Sequence, residues 1–100
     1  MKKVLFICSA GMSTSLLVLK TKEAAKQRGI EVEIIAMAEA EAKKHYDVAD
    51  AILLGPQVRF LLNTVESALE DREIPVELIN PVSYGNLDGN AILDQIIDLL

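Results

Sequence analysis

Four short runs of branched apolar residues, separated by segments with helical patterning, most limit what this chain can fold into. The runs are Val4-Leu5-Phe6-Ile7-Cys8, Val32-Glu33-Ile34-Ile35-Ala36, Ala51-Ile52-Leu53-Leu54 and Val76-Glu77-Leu78-Ile79. Each is four or five residues long, which is strand length rather than helix length. The first and third are apolar throughout, as central strands buried on both faces require. The second and fourth each admit a Glu, which suits strands nearer the edges. Between them, Ser13 to Arg28 contains no Gly or Pro and meets a stop at Gly29. Val58, Leu61, Leu62, Val65, Ala68 and Leu69 recur on one helical face, with Pro56 near the first turn, where a missing N–H costs nothing. Ala38 to Tyr46 reads as a shorter helix. A last helix is predicted from about Gly89 onward, with Asp88 as its N-cap and Ile92, Leu93, Ile96, Ile97 and Leu100 as its buried stripe.

Strict alternation of strand and helix predicts an α/β fold: a four-stranded parallel sheet with helices on both faces. Right-handed crossovers favour the strand order 2-1-3-4. The order then reverses between strands 1 and 3, and a binding crevice is expected outside their carboxyl ends. Cys8 sits there. With 100 residues, of which 51% are hydrophobic, residues 1–100 are predicted to form a single domain around one core. There are no repeats, linkers or low-complexity segments.

Composition excludes several classes of function. Aromatics make up 4% and Trp is absent, which leaves no stacking platform for single-stranded nucleic acid. The net charge of −5 disfavours phosphate-backbone binding, so no nucleic-acid partner is expected. The charge is uneven. Residues 1–28 hold six basic side chains against one acid, Glu23, and the remainder hold four basic against fourteen acidic. The basic stretch reads as the solvated face of a helix, with a docking patch for an acidic protein as the alternative. One cysteine rules out an internal disulfide and a multi-cysteine zinc site, and no metal or cofactor is expected. The apolar run after Lys3 is too short for a signal peptide, and no stretch approaches the roughly 20 apolar residues of a membrane span. The chain reads as cytoplasmic.

The chemistry concentrates in Cys8-Ser9-Ala10-Gly11-Met12-Ser13-Thr14-Ser15, which leaves strand 1 and enters the first helix. Small residues let such a loop curl, and Gly11 permits a positive φ. Successive N–H groups then point into one concavity, and the helix N-terminus adds the positive end of its dipole. The product is an anion nest of phosphate size. The same field that binds phosphate favours a thiolate. A thiolate in a phosphate cradle is a nucleophile aimed at phosphorus. The hydroxyls of Ser13, Thr14 or Ser15 are further ligands. Taken alone, a Cys at the end of a buried strand is more often a small core residue, and Ser or Thr at a helix start is an ordinary N-cap. The conjunction of strand, Cys, small-residue loop and helix favours the functional reading.

These residues carry a resemblance. Cys-Ser-Ala-Gly-Met-Ser-Thr-Ser at 8–15, Leu-Leu-Gly-Pro-Gln-Val at 53–58 and Tyr-Gly-Asn-Leu-Asp-Gly at 84–89 resemble, in order and spacing, the IIB component of the lactose/cellobiose/chitobiose branch of the bacterial phosphoenolpyruvate-dependent sugar phosphotransferase system. The resemblance spans essentially the whole chain. It implies that Cys8 takes a phosphoryl group from a histidine of a IIA component. Cys8 then passes it to a β-linked disaccharide of the cellobiose, chitobiose or lactose class, bound to a membrane IIC permease. It further implies that Ser9 to Ser15 form the phosphate-binding loop. Gly55, Pro56 and Gln57 would form the rim after strand 3, and Tyr84 and Asp88 the rim after strand 4. The domain would lie at the inner face of the membrane through IIC, without inserting; independently of the resemblance, a monomer is expected because no helix is apolar all round.

The strand–Cys-loop–helix arrangement is also similar to that of low-molecular-weight protein tyrosine phosphatases, which place Arg six positions after the Cys and then Ser. Here those positions are Thr14 and Ser15, and no basic residue occurs between Lys3 and Lys20. A clamp of that kind is worth orders of magnitude in phosphoryl transfer. Its absence predicts a phosphocysteine that resists water and argues against the alternative of a phosphatase-like hydrolase. A receiver-like domain would need acids after strand 1, and a redox role would need a resolving thiol. His45, in Lys43-Lys44-His45-Tyr46, reads as a surface residue, as does Arg59. At least one of Leu16 and Leu17 belongs to the core, and Met12 is either core or a contact for IIA.

Overall fold

The computed structural model describes residues 1–9 and 12–100, with the side chains of residues 12–14 excepted. Four strands, β1 (Lys2–Ile7), β2 (Val32–Met37), β3 (Ala51–Leu54) and β4 (Val76–Leu78), form one sheet in the order β2-β1-β3-β4. All three pairings are parallel, and in register Ile7 faces Met37 on one side and Leu54 on the other. The two runs without a Glu are thus the two central strands. The helices are α1 (Met12–Gln27), α2 (Glu39–Ala42), α3 (Leu62–Ala68), α4 (Pro81–Gly85) and α5 (Gly89–Leu99).

Side-chain parity along the central strands divides the core into two layers. Val4 and Phe6 of β1, with Ala51 and Leu53 of β3, pack with Leu17 and Val18 of α1 and with Ile92 and Ile96 of α5. Leu5, Ile7, Ile52 and Leu54 face the other way, onto Ala42, Tyr46, Val58, Val65 and Leu69. A third cluster joins Ala24 and Ala25 of α1 to Leu93 of α5. At the end of α1, Gly29 takes φ +67°. Its N–H bonds the Lys26 carbonyl at 3.2 Å, and the Ile30 N–H bonds that of Ala25 at 2.9 Å. This is a Schellman cap, and it puts Ile30 against the alanine cluster.

Some expectations need correction. Ile97 and Leu100 are 38% and 46% exposed and leave the buried stripe of α5 to Ile92, Leu93 and Ile96. Among the described residues no element packs over this second column of apolar side chains. The helix expected over Ala38 to Tyr46 is α2 followed by a 3-10 turn, Lys43–Val48. The helix expected from Val58 starts as a 3-10 turn, Pro56–Leu61, in which Val58 departs from helical dihedrals (φ −117°, ψ 23°), and only then becomes α3. Ala68 lies exposed. Helix α4 was not anticipated. Its signal is Asn80-Pro81: Asn80 Oδ1 accepts the N–H groups of Val82 and Ser83 at 2.9 and 3.2 Å, and proline occupies the first turn.

Candidate phosphoryl-transfer site

Cys8 follows the last residue of β1, at the carboxyl edge of the sheet and at the point where strand order reverses. Both neighbouring strands hold it. Its N–H donates to the Met37 carbonyl of β2 at 3.1 Å. On the other side the Gly55 N–H, just past β3, donates to the Ile7 carbonyl at 2.9 Å. The backbone at Cys8 is therefore fixed by the two strands it lies between. The Sγ lies 3.8 Å from the Met37 carbonyl oxygen, and the residue is 8% exposed.

Four residues on, α1 begins at Met12, and its first turn contains no acid. Sixteen residues of aligned peptide dipoles thus point their positive end toward the segment that follows Cys8, with no carboxylate to cancel it. Ser9 and Ser15, on either side of that segment, are exposed. Ala10, Gly11 and the side chains of Met12, Ser13 and Thr14 lie outside the described residues.

The structure brings Gly55, Pro56, Gln57 and Tyr84 together. Gly55 is buried. A Cβ there would run into Gln57 Oε1 and would lie 3.6 Å from Tyr84 Cε2, so glycine at this position makes room for the Gln57 carboxamide. Gln57 Nε2 in turn donates to the Tyr84 hydroxyl oxygen at 2.7 Å. The bond ties the turn after β3 to α4, which follows β4, and the Tyr84 ring packs against the α1/α5 side of the core. Pro56 stands at the start of the 3-10 turn and is half-buried.

Asp88 is placed elsewhere. Its carboxylate accepts the Ala91 N–H at 3.1 Å and caps α5. Around it lie Lys20, Glu23 and Gln27, in the middle and last turns of α1. The cap predicted for it is present, whereas the structure does not bring it to the Cys8 edge. His45 and Arg59 are exposed, Leu17 is fully buried, and Leu16 faces outward. Two contributors escaped the sequence reading. One is the Met37 carbonyl, a backbone group with no sequence signature. The other is Gln95, whose Nε2 donates to Glu77 Oε1 at 2.7 Å and to the Leu78 carbonyl at 2.6 Å, while its Oε1 accepts the Asn80 N–H at 3.1 Å. Gln95 thereby ties the end of β4 and the start of α4 to α5.

Among the described residues no group of three or more His, Cys, Asp or Glu is arranged to hold a metal ion, and no helix is long and apolar enough to cross a membrane. What the arrangement offers is a cysteine thiol at the end of a central strand, ahead of a helix N-terminus.

Residues 3–95 match the family model of the lactose/cellobiose-specific IIB subunit of the PTS system. The oligo-beta-mannoside-specific EIIB component of Bacillus subtilis is 44% identical over 100 residues, covering 100% of this chain and 97% of that protein. The galactose-specific EIIB component of Lactococcus lactis subsp. cremoris is 37% identical, over 92% of this chain and 90% of that protein. Among solved structures, the cellobiose-specific phosphotransferase IIB component protein from Borrelia burgdorferi matches 98% of this chain and 90% of its own, at a TM-score of 0.81 and 37% identity. A YwlE mutant from Bacillus subtilis matches 99% of this chain and 93% of its own, at a TM-score of 0.56 and 15% identity. That likeness concerns the fold alone and accords with the expected similarity of fold to low-molecular-weight tyrosine phosphatases. The chain belongs to the lactose/cellobiose-specific IIB family and is a phosphotransferase component of a sugar phosphotransferase system.

Proposed function

We propose that Cys8 is the residue that carries the phosphoryl group, and that residues 9–15 cradle it. The observation that supports this most is the placement of Cys8 at the carboxyl end of β1, at the switch point and just before the acid-free first turn of α1. In the first half-reaction the deprotonated Sγ attacks phosphorus of a IIA phosphohistidine. The S–P bond forms, the P–N bond breaks, and the imidazole keeps the bonding pair and takes up a proton. In the second, a sugar hydroxyl oxygen attacks phosphorus, the S–P bond breaks, and Sγ leaves as thiolate while the hydroxyl loses its proton. The loop N–H groups and the helix dipole stabilise the equatorial oxygens in both halves. Met37 and Gly55 hold the backbone from which the sulfur projects, and the Gln57–Tyr84 bond braces the rim beside it.

The acceptor in this reading is a β-linked oligosaccharide presented by a IIC permease at the inner face of the membrane. Relatives named for oligo-beta-mannoside and for cellobiose support that class. Residues 1–100 act as one IIB domain and as a monomer, in keeping with a single sheet covered on both faces. The alternative, hydrolysis of phosphate esters, lacks the arginine six positions after Cys8, where this chain has Thr14.

The test is direct. Incubation with the general phosphotransferase proteins, a IIA partner and phosphoenolpyruvate is expected to add one phosphoryl group, found on Cys8 by intact-mass and peptide analysis. Cys8→Ser is expected to form no thiophosphate ester. No gain with any cognate IIA, or equal labelling of Cys8→Ser, defeats the reading. Brisk turnover of p-nitrophenyl phosphate would favour the hydrolase.

A further inference from the structure

Helix α4 is too short to hold itself. Its five residues, Pro81–Gly85, fall well below the roughly 12–15 that an isolated helix needs in water. It is fixed instead at both ends. At the start the Asn80 side chain caps it, and the Asn80 N–H is itself held by Gln95 Oε1 at 3.1 Å. The same carboxamide donates to the Leu78 carbonyl at 2.6 Å, so Gln95 fastens the entry to α4 onto the end of β4. At the finish the Asp88 N–H bonds the Ser83 carbonyl at 2.9 Å, and the Leu87 N–H bonds that of Tyr84 at 3.1 Å. This is a second Schellman cap, with Leu87 in the place that glycine usually takes. Among the described residues Leu87 alone, apart from glycine, has a positive φ, +53°. A Cβ makes that conformation costly, whereas glycine adopts it freely. The backbone therefore gives no reason for leucine here. The side chain does, since it packs against the α1/α5 side of the core. Pro81, Val82, Gly85 and Asn86 are exposed, so α4 and its cap meet this core through Tyr84 and Leu87.

We propose that Leu87 and Gln95 are positioning residues for phosphoryl transfer, which anchor α4 at its two ends and so set the Tyr84 hydroxyl against Gln57. The inference rests on the reading of Cys8 as phosphoryl acceptor. The path to that residue is short. The Tyr84 hydroxyl accepts from the Gln57 carboxamide at 2.7 Å, and Gly55 makes room for that carboxamide. The Gly55 N–H in turn holds the Ile7 carbonyl, one residue before Cys8. Anchored at one end only, a helix of five residues can pivot; anchored at both, it presents Tyr84 at a set height and direction. Leucine at position 87 fixes where α4 ends through its contact with the core, which glycine could not do. A misplacement of roughly 1 Å, caused far from the reacting atoms, can cost about a hundredfold in rate.

The experiment measures single-turnover transfer from phosphorylated IIA to the full chain over a range of donor concentrations, which separates the limiting rate from the half-saturating concentration. The variants are Leu87→Gly, Leu87→Met and Gln95→Leu, each alone and in a Tyr84→Phe background; thermal melting confirms folding. The carboxamide protons of Gln57 are followed by NMR as a direct report on its bond to Tyr84. Leu87→Gly and Gln95→Leu are expected to lower the limiting rate about fivefold or more and to leave the half-saturating concentration within about twofold. Both are expected to shift the Gln57 signal toward its position in Tyr84→Phe. Leu87→Met, which keeps an apolar side chain, is expected to stay within about twofold of wild type. In the Tyr84→Phe background the same substitutions are expected to add less than about twofold, because residues that act through one bond do not add. Limiting rates equal to wild type, or losses that multiply in full on top of Tyr84→Phe, overturn the assignment while the Cys8 reading stands. A raised half-saturating concentration with an unchanged limiting rate places α4 in donor binding and also overturns it. If Leu87→Gly fails to fold, Gln95→Leu decides; if neither folds, the two residues serve the domain and not the rim, and the assignment falls. If wild type takes no phosphate on Cys8, the underlying reading falls.

Discussion

Replacing Gly89 with alanine isolates how tightly the outer helices close on each other. Gly89 is the first residue of α5, and a Cβ there would penetrate the Lys20 carbonyl of α1 and lie 2.9 Å from Thr21 N. These are backbone atoms in the middle of a helix and cannot swing aside as a side-chain tip would. Thr21 is also fully buried, with its hydroxyl donating to the Leu17 carbonyl at 2.9 Å. Ordinary carbon contacts are about 3.5 to 4 Å, so α5 must withdraw by roughly 1 Å. Ile92, Leu93 and Ile96 have no exposed surface, and a gap of that width forfeits about a quarter to a half of the attraction at each contact it opens.

Overpacking of this kind costs about 1–3 kcal/mol, while alanine's better helix propensity returns less than about 1 kcal/mol. A net loss of about 2 kcal/mol is expected, which lowers Tm by roughly 10 °C for a chain of this length. The urea midpoint should fall by about 1–2 M. Gly85→Ala is the control, since a Cβ at Gly85 meets nothing within 4 Å and its φ is not positive. It should be neutral, or stabilising by up to about 1 kcal/mol. If both variants unfold within about 0.5 kcal/mol of wild type, the account of the α1–α5 contact is wrong.

Other outcomes follow from single features. Gly55→Ala pushes only the tip of Gln57, so it should cost no more than the Gln57–Tyr84 bond, about 0.5–1.5 kcal/mol, yet slow phosphoryl transfer to Cys8; Tyr84→Phe, which keeps the ring and deletes the acceptor, should share the kinetic defect if that bond braces the rim. Gly29→Ala forces a Cβ into the left-handed region at the Schellman cap and should lose about 1–2 kcal/mol in a denaturant titration. Tyr46 is buried, its hydroxyl has no hydrogen-bond partner among the described residues, and burial followed by the nearby Glu39 carboxylate raises its pKa. Because the folded chain holds this proton more firmly than the unfolded one, its share of stability is complete below about pH 10 and is lost as pH rises through the folded value. Tyr46→Phe should therefore be as stable as wild type or more so at neutral pH, and its lead should widen in strong alkali. Parallel curves across that range would contradict the assignment.

The sheet could be read from sequence because its determinants are local. Two runs without a charge lie at the centre, two with one Glu each lie at the edges, and parallel pairing follows from the intervening helices. The ends of elements were harder. Pro56 starts a tight turn before α3, and the apolar spacing from Val58 to Leu69 cannot show that Val58 reaches the core from outside the helix proper. The position of Cys8 at the carboxyl edge was legible because the strand run that ends there is local. Its surroundings were not. The Met37 carbonyl is invisible to composition, and Gln57 and Tyr84 are 27 residues apart, joined only once β3 and β4 lie side by side. Asp88 shows the converse: its motif position suggested the rim, and its local role as a helix cap took precedence.

Cys8 hangs from the strand least able to move alone. β1 is hydrogen-bonded along both edges, and the Cys8 N–H continues that ladder to Met37. Amides in such a position exchange with solvent only when the whole domain opens, whereas helix ends and outer turns fray at far lower cost. The Cys8 amide thus serves as a built-in gauge of global unfolding. A change that removes only the chemistry leaves its deuterium uptake unaltered, and one that lowers stability accelerates it, so a single backbone proton separates lost chemistry from lost fold.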